Sequence, residues 1–106
     1  MKITDLMNIN SIQIGAVAKD KDDVLNQMVE LQDASGALTD KAVYRQAIQA
    51  RESQGSTGIG EGIAIPHAKS DSITKPALSA MVIPDGVEFD SLDGEPVYLA
   101  FMIAAP

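Results

Sequence analysis

The chain has 106 residues, 45% of them apolar, with a formal net charge of −7 and no cysteine. This length fits one small domain with a single core, and the lack of cysteine excludes disulfides, thiolate zinc sites and cysteine nucleophiles. The excess of acidic residues argues against a nucleic-acid partner, and no stretch approaches the ~20 apolar residues of a membrane span, so we expect a soluble protein.

Two longer helices are predicted in the first half of the chain. Thr4 is expected to cap a short helical turn, and the alternating residues at 12–16 indicate a short half-buried strand. An aspartate at position 20 or 22 can cap the first longer helix, which Gly36 ends. The second starts at residue 39 or 40 and stops near Gly55.

Beyond Gly55 the hydrophobic period changes from helical to extended. Turns are predicted at Pro84-Asp85-Gly86 and at 93–96, with a short hairpin arm over Val87, Phe89 and Leu92 between them. Strands are predicted at 63–65, 78–83 and 97–105.

The last strand is almost continuously apolar, which favours a strand covered on both faces. Helices followed by strands predict an α/β fold, namely a mixed β-sheet flanked by helices on both faces in a three-layer α/β/α sandwich. A central strand is expected to have a covering helix after it. We therefore expect residues 1–106 to form a single domain that is incomplete at its carboxyl end and lacks its C-terminal helices.

One loop carries most of the functional information, because it ends on His67, the only histidine. A P-loop would need Lys-Ser/Thr after its glycines, and a dinucleotide fingerprint would need glycine at 63, where Ile63 stands. A lone histidine without cysteine makes a metal site poorly supported. Composition does not exclude a Ser-His-Asp hydrolase, but no spacing singles out a nucleophile.

His67 itself is the remaining candidate for the reacting group. A neutral imidazole nitrogen is a nucleophile that can accept a phosphoryl group. Phosphoryl transfer then requires positioning and donors for the phosphoryl oxygens. Arg51 offers a planar fork of donors, and the glycine-rich backbone at 58–62 can approach an anion without side-chain obstruction.

The residues from Arg51 to His67 carry a specific pattern. Arg51-Glu52 is followed by the run Ser56-Thr57-Gly58-Ile59-Gly60-Glu61-Gly62-Ile63-Ala64-Ile65-Pro66-His67. This pattern resembles the signature of the fructose/mannitol-class enzyme IIA domain of the bacterial phosphoenolpyruvate-dependent sugar phosphotransferase system. The resemblance continues through Pro84-Asp85-Gly86-Val87 and 101–106, and so covers essentially the whole chain.

The resemblance implies a phosphotransferase acting in a relay. A histidine matching His67 accepts the phosphoryl group from phospho-HPr and passes it to a cysteine of a IIB domain, which serves a membrane IIC permease. It also implies a cytoplasmic location, or one on the cytoplasmic side of such a permease, and a fructose-type sugar. No metal or organic cofactor is expected.

The resemblance assigns site residues by position. Arg51 matches the family arginine beside the phosphoryl group, and joins His67 as a catalytic residue. The expected phosphate pocket consists of Thr57, Gly58, Gly60 and Gly62, with Glu52 and Ser56 as weaker candidates.

Two points keep alternatives open. The family has a second active-site histidine beyond the Ala-Ala-Pro segment, and this sequence has no counterpart to it within its 106 residues. Related domains also serve as nitrogen-related regulators or as parts of transcription regulators. A phosphorylation-controlled regulatory module is therefore the alternative to sugar uptake.

Overall fold

A computed structural model describes residues 2–7 and 9–106. The helices are α1 (Ile3–Leu6), α2 (Lys21–Ala34) and α3 (Lys41–Ser53), with a 3-10 turn at Ile9–Ser11. The strands are β1 (Ile12–Ile14), β2 (Gly58–Gly60), β3 (Ile63–Ala64), β4 (His67–Lys69), β5 (Ala77–Val87) and β6 (Val97–Ala105).

The two longer helices begin where short acidic side chains cap them. The Asp20 carboxylate accepts a hydrogen bond from the Asp23 N–H at 2.8 Å, and the Asp40 carboxylate accepts one from the Val43 N–H at 3.1 Å. Each cap satisfies a backbone donor that has no partner inside the helix. The predicted starts of α2 and α3 are thus confirmed. The predicted cap at Thr4 is wrong, because α1 already begins at Ile3.

The sheet is mixed, as predicted, and runs in the order β1-β5-β6-β3-β2. β5 and β6 pair antiparallel, whereas β1 pairs parallel with β5. The far edge of β6 is shared by two short parallel strands, β3 opposite Leu99 and Ala100, and β4 opposite Ile103 to Ala105. The sequence did not predict β2 or β4, because Gly58–Gly60 and His67–Lys69 each contain only one apolar side chain beyond glycine and so lack the apolar pattern of a strand.

The Pro84-Asp85-Gly86 sequence does not reverse the chain, so the predicted turn there is wrong. These residues lie inside β5, where the pairing with β6 shifts register between Val82 and Val87. Gly86 has a φ of +74° and packs so closely on Tyr98 that an added Cβ would lie 2.7 Å from the ring. The turn-forming residues therefore make an irregularity within a continuous strand.

The predicted hairpin arm between the two turns is also wrong. Residues 88–96 form an irregular connection in which Phe89 is fully buried and Leu92 is exposed. A turn is present here, but it lies two residues before the predicted 93–96, since the Gly94 N–H donates to the Ser91 carbonyl at 2.9 Å. This connection becomes important because it packs against the glycine-rich loop.

The core lies between one face of the sheet and the two long helices. Met28 of α2 and Tyr44 and Ile48 of α3 join Met81 and Met102 of the sheet in one buried cluster. The burial of β6 alternates, with Ala100, Met102 and Ala104 buried but Ile103 and Ala105 exposed. The expectation that this strand is fully covered on both faces is not met in the described chain. Its continuous apolar sequence did not distinguish a packed face from a partly open one.

Among the residues that the structure describes, none of the helices combines the length and apolar character that a membrane span requires. That residues 1–106 form one domain, incomplete at the carboxyl end, stays a prediction.

Candidate active site

Strand β4 presents His67 and Lys69 on the same face of the sheet. His67 lies opposite Ile103 of β6 and Lys69 opposite Ala105, whereas Ala68 between them packs against the core. Since side chains alternate along a strand, the two polar residues point to the opposite side of the strand from Ala68. Both are exposed.

The His67 ring is held by the backbone just before it. Its Nδ1 lies 2.8 Å from the carbonyl oxygen of Ile65. A carbonyl oxygen can only accept a hydrogen bond, so Nδ1 carries the proton and donates it. In the neutral ring, Nε2 is then left with a free lone pair, which is the form that a nucleophile needs.

A cavity of about 440 Å³ opens beside His67. It brings together residues from the end of α3, the loop after it, β4 and β6. Four residues singled out from the sequence line it: His67, Arg51, Ser56 and Thr57. The remaining lining residues are Ile59, Ile65, Ala68, Lys69, Ile103 and Ala105.

Arg51 reaches this cavity from the last turn of α3. Its Nη1 donates to the Gly55 carbonyl at 2.8 Å, at the helix end. This bond fixes one arm of the guanidinium against the backbone that follows the helix. A guanidinium has five N–H donors, so the others remain for an anion.

Glu52 lies under the loop, not in the cavity. It is only 8% exposed, and its carboxylate accepts from both the N–H of Thr57, at 3.2 Å, and the Thr57 hydroxyl. Lys21 of α2 lies 2.8 Å from the same carboxylate. The Lys21 ammonium also lies 4.9 Å from the centre of the Phe89 ring.

Ser56 fastens the loop to the connection between β5 and β6. Its hydroxyl donates to the Phe89 carbonyl at 2.8 Å and accepts from the Gly58 N–H at 3.0 Å. The Gly58 carbonyl in turn accepts from the Leu92 N–H at 3.0 Å. The start of the glycine-rich loop is thus held in place by both side chains and backbone.

None of the three glycines is among the residues that line the cavity in the described chain. Gly58 packs on Ser91, Gly60 on the Asp93 carboxylate and Gly62 on the Tyr98 ring. At Gly58 an added Cβ would lie 2.3 Å from the Ser91 hydroxyl oxygen, so a side chain is sterically excluded. Here glycine allows two segments to approach closely.

Asp93 holds the far end of the loop. Its carboxylate accepts from the Glu61 N–H at 2.9 Å and from the Glu95 N–H at 3.0 Å. The bond from Glu61, followed by that from Glu95, lowers the pKa of Asp93 below its usual value, because both stabilise the ionised carboxylate.

Sequence reasoning missed Lys69 and the apolar lining from Ile59, Ile65 and Ile103. The period-two relation between His67 and Lys69 is a signal that could have found the lysine, had 67–69 been read as a strand. The contribution of β6 had no local signal, because it depends on pairing between residues far apart in sequence.

Within residues 2–7 and 9–106, no group of three or more His, Asp or Glu side chains is arranged to hold a metal ion. The expectation that no cofactor is needed stays a prediction.

The fold and site define a class of protein: a mixed α/β domain that offers one oriented histidine nitrogen next to an arginine at a largely apolar cavity. The family model of the phosphoenolpyruvate-dependent sugar phosphotransferase system, EIIA 2, matches residues 5–106. The chain therefore belongs to this EIIA family, as its sequence pattern predicted.

One curated relative is the fructose-specific EIIABC component of the sugar phosphotransferase system of Bacillus subtilis (strain 168). It is 50% identical over 105 residues, which are 99% of this chain and 16% of that protein. The chain thus spans about a sixth of the length of this relative.

Two solved structures share the fold. The nitrogen regulatory protein IIA-Ntr from Neisseria meningitidis matches with a TM-score of 0.91 and 27% identity, over 98% of this chain and 70% of that chain. A complex of mannitol enzyme IIA with phosphorylated enzyme IIB from Escherichia coli matches with a TM-score of 0.83 and 26% identity, over 93% of this chain and 69% of that chain. The predicted α/β class with a mixed sheet is confirmed.

Proposed function

We propose that this chain is the IIA phosphocarrier of a fructose-type sugar phosphotransferase system, with His67 as the phosphoryl acceptor. The observation that carries the proposal is the Nδ1 hydrogen bond to Ile65, which leaves Nε2 free at a cavity shared with Arg51. The fructose-specific relative at 50% identity supports the choice of sugar class.

The proposed reaction moves one phosphoryl group between two imidazoles. Nε2 of His67 attacks the phosphorus of phospho-HPr, forming a new N–P bond as the N–P bond to the donor histidine breaks. The group is then passed to the sulfur of a IIB cysteine, which restores neutral His67. Charge develops on the phosphoryl oxygens in both steps, and cationic donors stabilise it.

The chain's own donors for these oxygens are Arg51 and Lys69. Both line the cavity beside His67. In the described residues, the Lys69 side chain makes no ion pair or hydrogen bond, so its ammonium is available to an anion. Ser56, Thr57 and the glycine-rich segment form the frame that holds these groups together.

The proposed partners follow from the relay. HPr is the donor, a IIB domain the acceptor, and a membrane IIC permease the final user of the phosphoryl group. Cytoplasmic or permease-associated placement, on the side where phosphoenolpyruvate is produced, is part of the same proposal. The mannitol IIA complex with phosphorylated IIB supports this choice of acceptor.

The test is phosphorylation with phosphoenolpyruvate, enzyme I and HPr. The wild-type chain should acquire one acid-labile, base-stable phosphate, located on His67 by mass spectrometry, and His67→Ala should acquire none. Circular dichroism of the variant provides the control for folding. Label that persists in His67→Ala would refute the assignment.

The second candidate function is a phosphorylation-controlled regulatory module. It is favoured by the fold match to IIA-Ntr, at a TM-score of 0.91. Incubating the phosphorylated chain with a fructose-type IIB domain separates the two: transfer to the IIB cysteine supports sugar uptake, and retention on His67 supports regulation.

A further inference from the structure

Glu52 is a carboxylate hydrogen-bonded to Thr57, which lines the cavity beside His67. It follows Arg51 directly in α3, yet its side chain is buried beneath the loop while Arg51 lines the cavity. A buried carboxylate is stable only when it is paired and hydrogen-bonded. Its partners therefore indicate what it holds in place.

Those partners use up both hydrogen-bond donors of Thr57. The backbone N–H and the side-chain hydroxyl of Thr57 each donate to one oxygen of the Glu52 carboxylate. A threonine has no third donor. While these bonds exist, Thr57 has none to give to a phosphoryl oxygen, although it lines the cavity.

The carboxylate is held in turn by α2. The Lys21 ammonium lies 2.8 Å from it, and packs at 4.9 Å from the ring of Phe89. Phe89 accepts the Ser56 hydroxyl hydrogen bond through its carbonyl. Lys21, Glu52, Thr57, Ser56 and Phe89 thus form a closed ring of contacts around the start of the loop.

We propose that Glu52 is a positioning residue whose negative charge is balanced by the Lys21 ammonium. By binding Thr57, it fixes the position of this part of the cavity wall relative to Arg51 and His67. On this basis Thr57 links Glu52 to the loop and is not a phosphate ligand. The proposal rests on the proposed function, and it adds to that function the residues that orient the site without touching the transferred group.

The physical argument is one of geometry. The Thr57 carbonyl accepts from the Ile65 N–H at 3.0 Å, and the Ile65 carbonyl holds Nδ1 of His67. A shift at Thr57 is therefore passed to the residue that orients the imidazole. Displacements of an ångström at a reacting group are enough to slow a reaction considerably.

The test measures the single-turnover rate of phosphoryl transfer from phospho-HPr and, with a IIB domain present as acceptor, the steady-state kcat and KM for phospho-HPr. Glu52→Gln and Thr57→Val are each expected to lower kcat about ten-fold or more, with KM for phospho-HPr changed less than kcat. The double variant should be no slower than the slower single variant, because both break the same link. Thr57→Ser, which restores the hydroxyl, should recover most of the rate lost in Thr57→Val.

Glu30→Gln is the matched control. Glu30 also joins α2 to α3, through Lys41 at 3.0 Å and Arg45 at 3.1 Å, but on the exposed surface. The Glu30→Gln variant should be slightly less stable than wild type and have a kcat within two-fold of the wild-type value. A general response of the rate to weaker α2–α3 packing would instead appear in this control too.

Several results would overturn the proposal. These are a wild-type transfer rate in Glu52→Gln, a fold-loss of rate in the double variant equal to the product of the two single losses, or a change in KM with kcat unaltered. If Glu52→Gln fails to fold, Thr57→Val, which removes one hydroxyl and keeps the shape, decides by itself. Absence of labelling in the wild-type chain would instead refute the proposed function, so the two failures are distinguishable.

Discussion

The carbonyl oxygen of Ile65 lies 2.8 Å from Nδ1 of His67, with only Pro66 between the two residues. Proline fixes its own φ near −65° and so limits the ways in which the chain can pass from one residue to the other. The backbone therefore selects the tautomer of the imidazole before any partner arrives.

This selection predicts the site of phosphorylation on the ring. With the proton on Nδ1, the phosphoryl group should form on Nε2. Two-dimensional NMR of the ¹⁵N-labelled imidazole should show a protonated Nδ1 and an unprotonated Nε2 in the free protein, and ³¹P coupling to Nε2 after phosphorylation. Coupling to Nδ1 would contradict the assignment.

The two cations beside His67 should contribute unequally. Arg51→Met removes a bidentate donor and should lower the rate of phosphoryl transfer by roughly 10- to 100-fold, in line with the loss of charge-assisted hydrogen bonds. Lys69→Met removes an exposed point charge and should have a smaller effect, about three- to ten-fold. The measurement is single-turnover transfer from phospho-HPr.

Lys75→Met is the control for the loss of one positive charge. Lys75 is exposed and lies outside the cavity lining. It should leave transfer near the wild-type rate. If Lys75→Met and Lys69→Met behave alike, the effect of Lys69 comes from the net charge of the chain acting at long range on its partner and not from contact with the phosphoryl group.

The close approach of Gly58 to Ser91 predicts a specific steric defect. Gly58→Ala places a methyl group 2.3 Å from the Ser91 hydroxyl oxygen, and should lower the free energy of unfolding by about 1–3 kcal/mol. Urea denaturation measures this loss. Ser91→Gly in the same chain should restore part of it, whereas equal losses in the single and double variants would show that the two sites do not clash.

Tyr44 should make stability depend on alkaline pH. Burial raises the pKa of Tyr44 to about 12, and the nearby Gln32 offsets only part of the increase. Because the folded-state pKa lies above the unfolded value of about 10, the neutral phenol stabilises the fold below pH 10. That contribution, about 3 kcal/mol, should disappear as the pH rises from about 10 to about 12.

Tyr44→Phe isolates this effect from the titration of other groups. The Tyr44 hydroxyl is buried and, although it lies near Gln32, makes no hydrogen bond of good geometry in the described chain, so its removal should cost little at neutral pH. The difference in unfolding free energy between wild type and variant, measured in urea from pH 9 to 12, should grow steeply in favour of the variant. A constant difference would contradict the raised pKa.

The helices show how far local sequence determines structure here. Asp20 and Asp40 cap α2 and α3 where the sequence predicted, because a cap depends on residues within one helical turn. The strands at 63–64 and 97–105 were also predicted from runs of apolar residues. By contrast, Pro84-Asp85-Gly86 has the composition of a turn, and only its pairing with β6 keeps it within β5.

The sequence by itself determined the candidate reacting group and its neighbours along the chain. One histidine, the arginine at the end of a helix and the glycine-rich run between them are read directly from residues 51–67, and they place the chain in its family.

Tertiary structure alone decided how these parts are used. Pairing of β4 with β6 made Ile103 a wall of the cavity that His67 and Lys69 line. Packing of α2 on α3 brought Lys21 to Glu52, and the Glu52 carboxylate accepts hydrogen bonds from both the N–H and the hydroxyl of Thr57. These contacts join residues far apart in sequence or depend on where neighbouring elements lie, so no local sequence pattern predicts them. They form only when the sheet and the helices pack on one core.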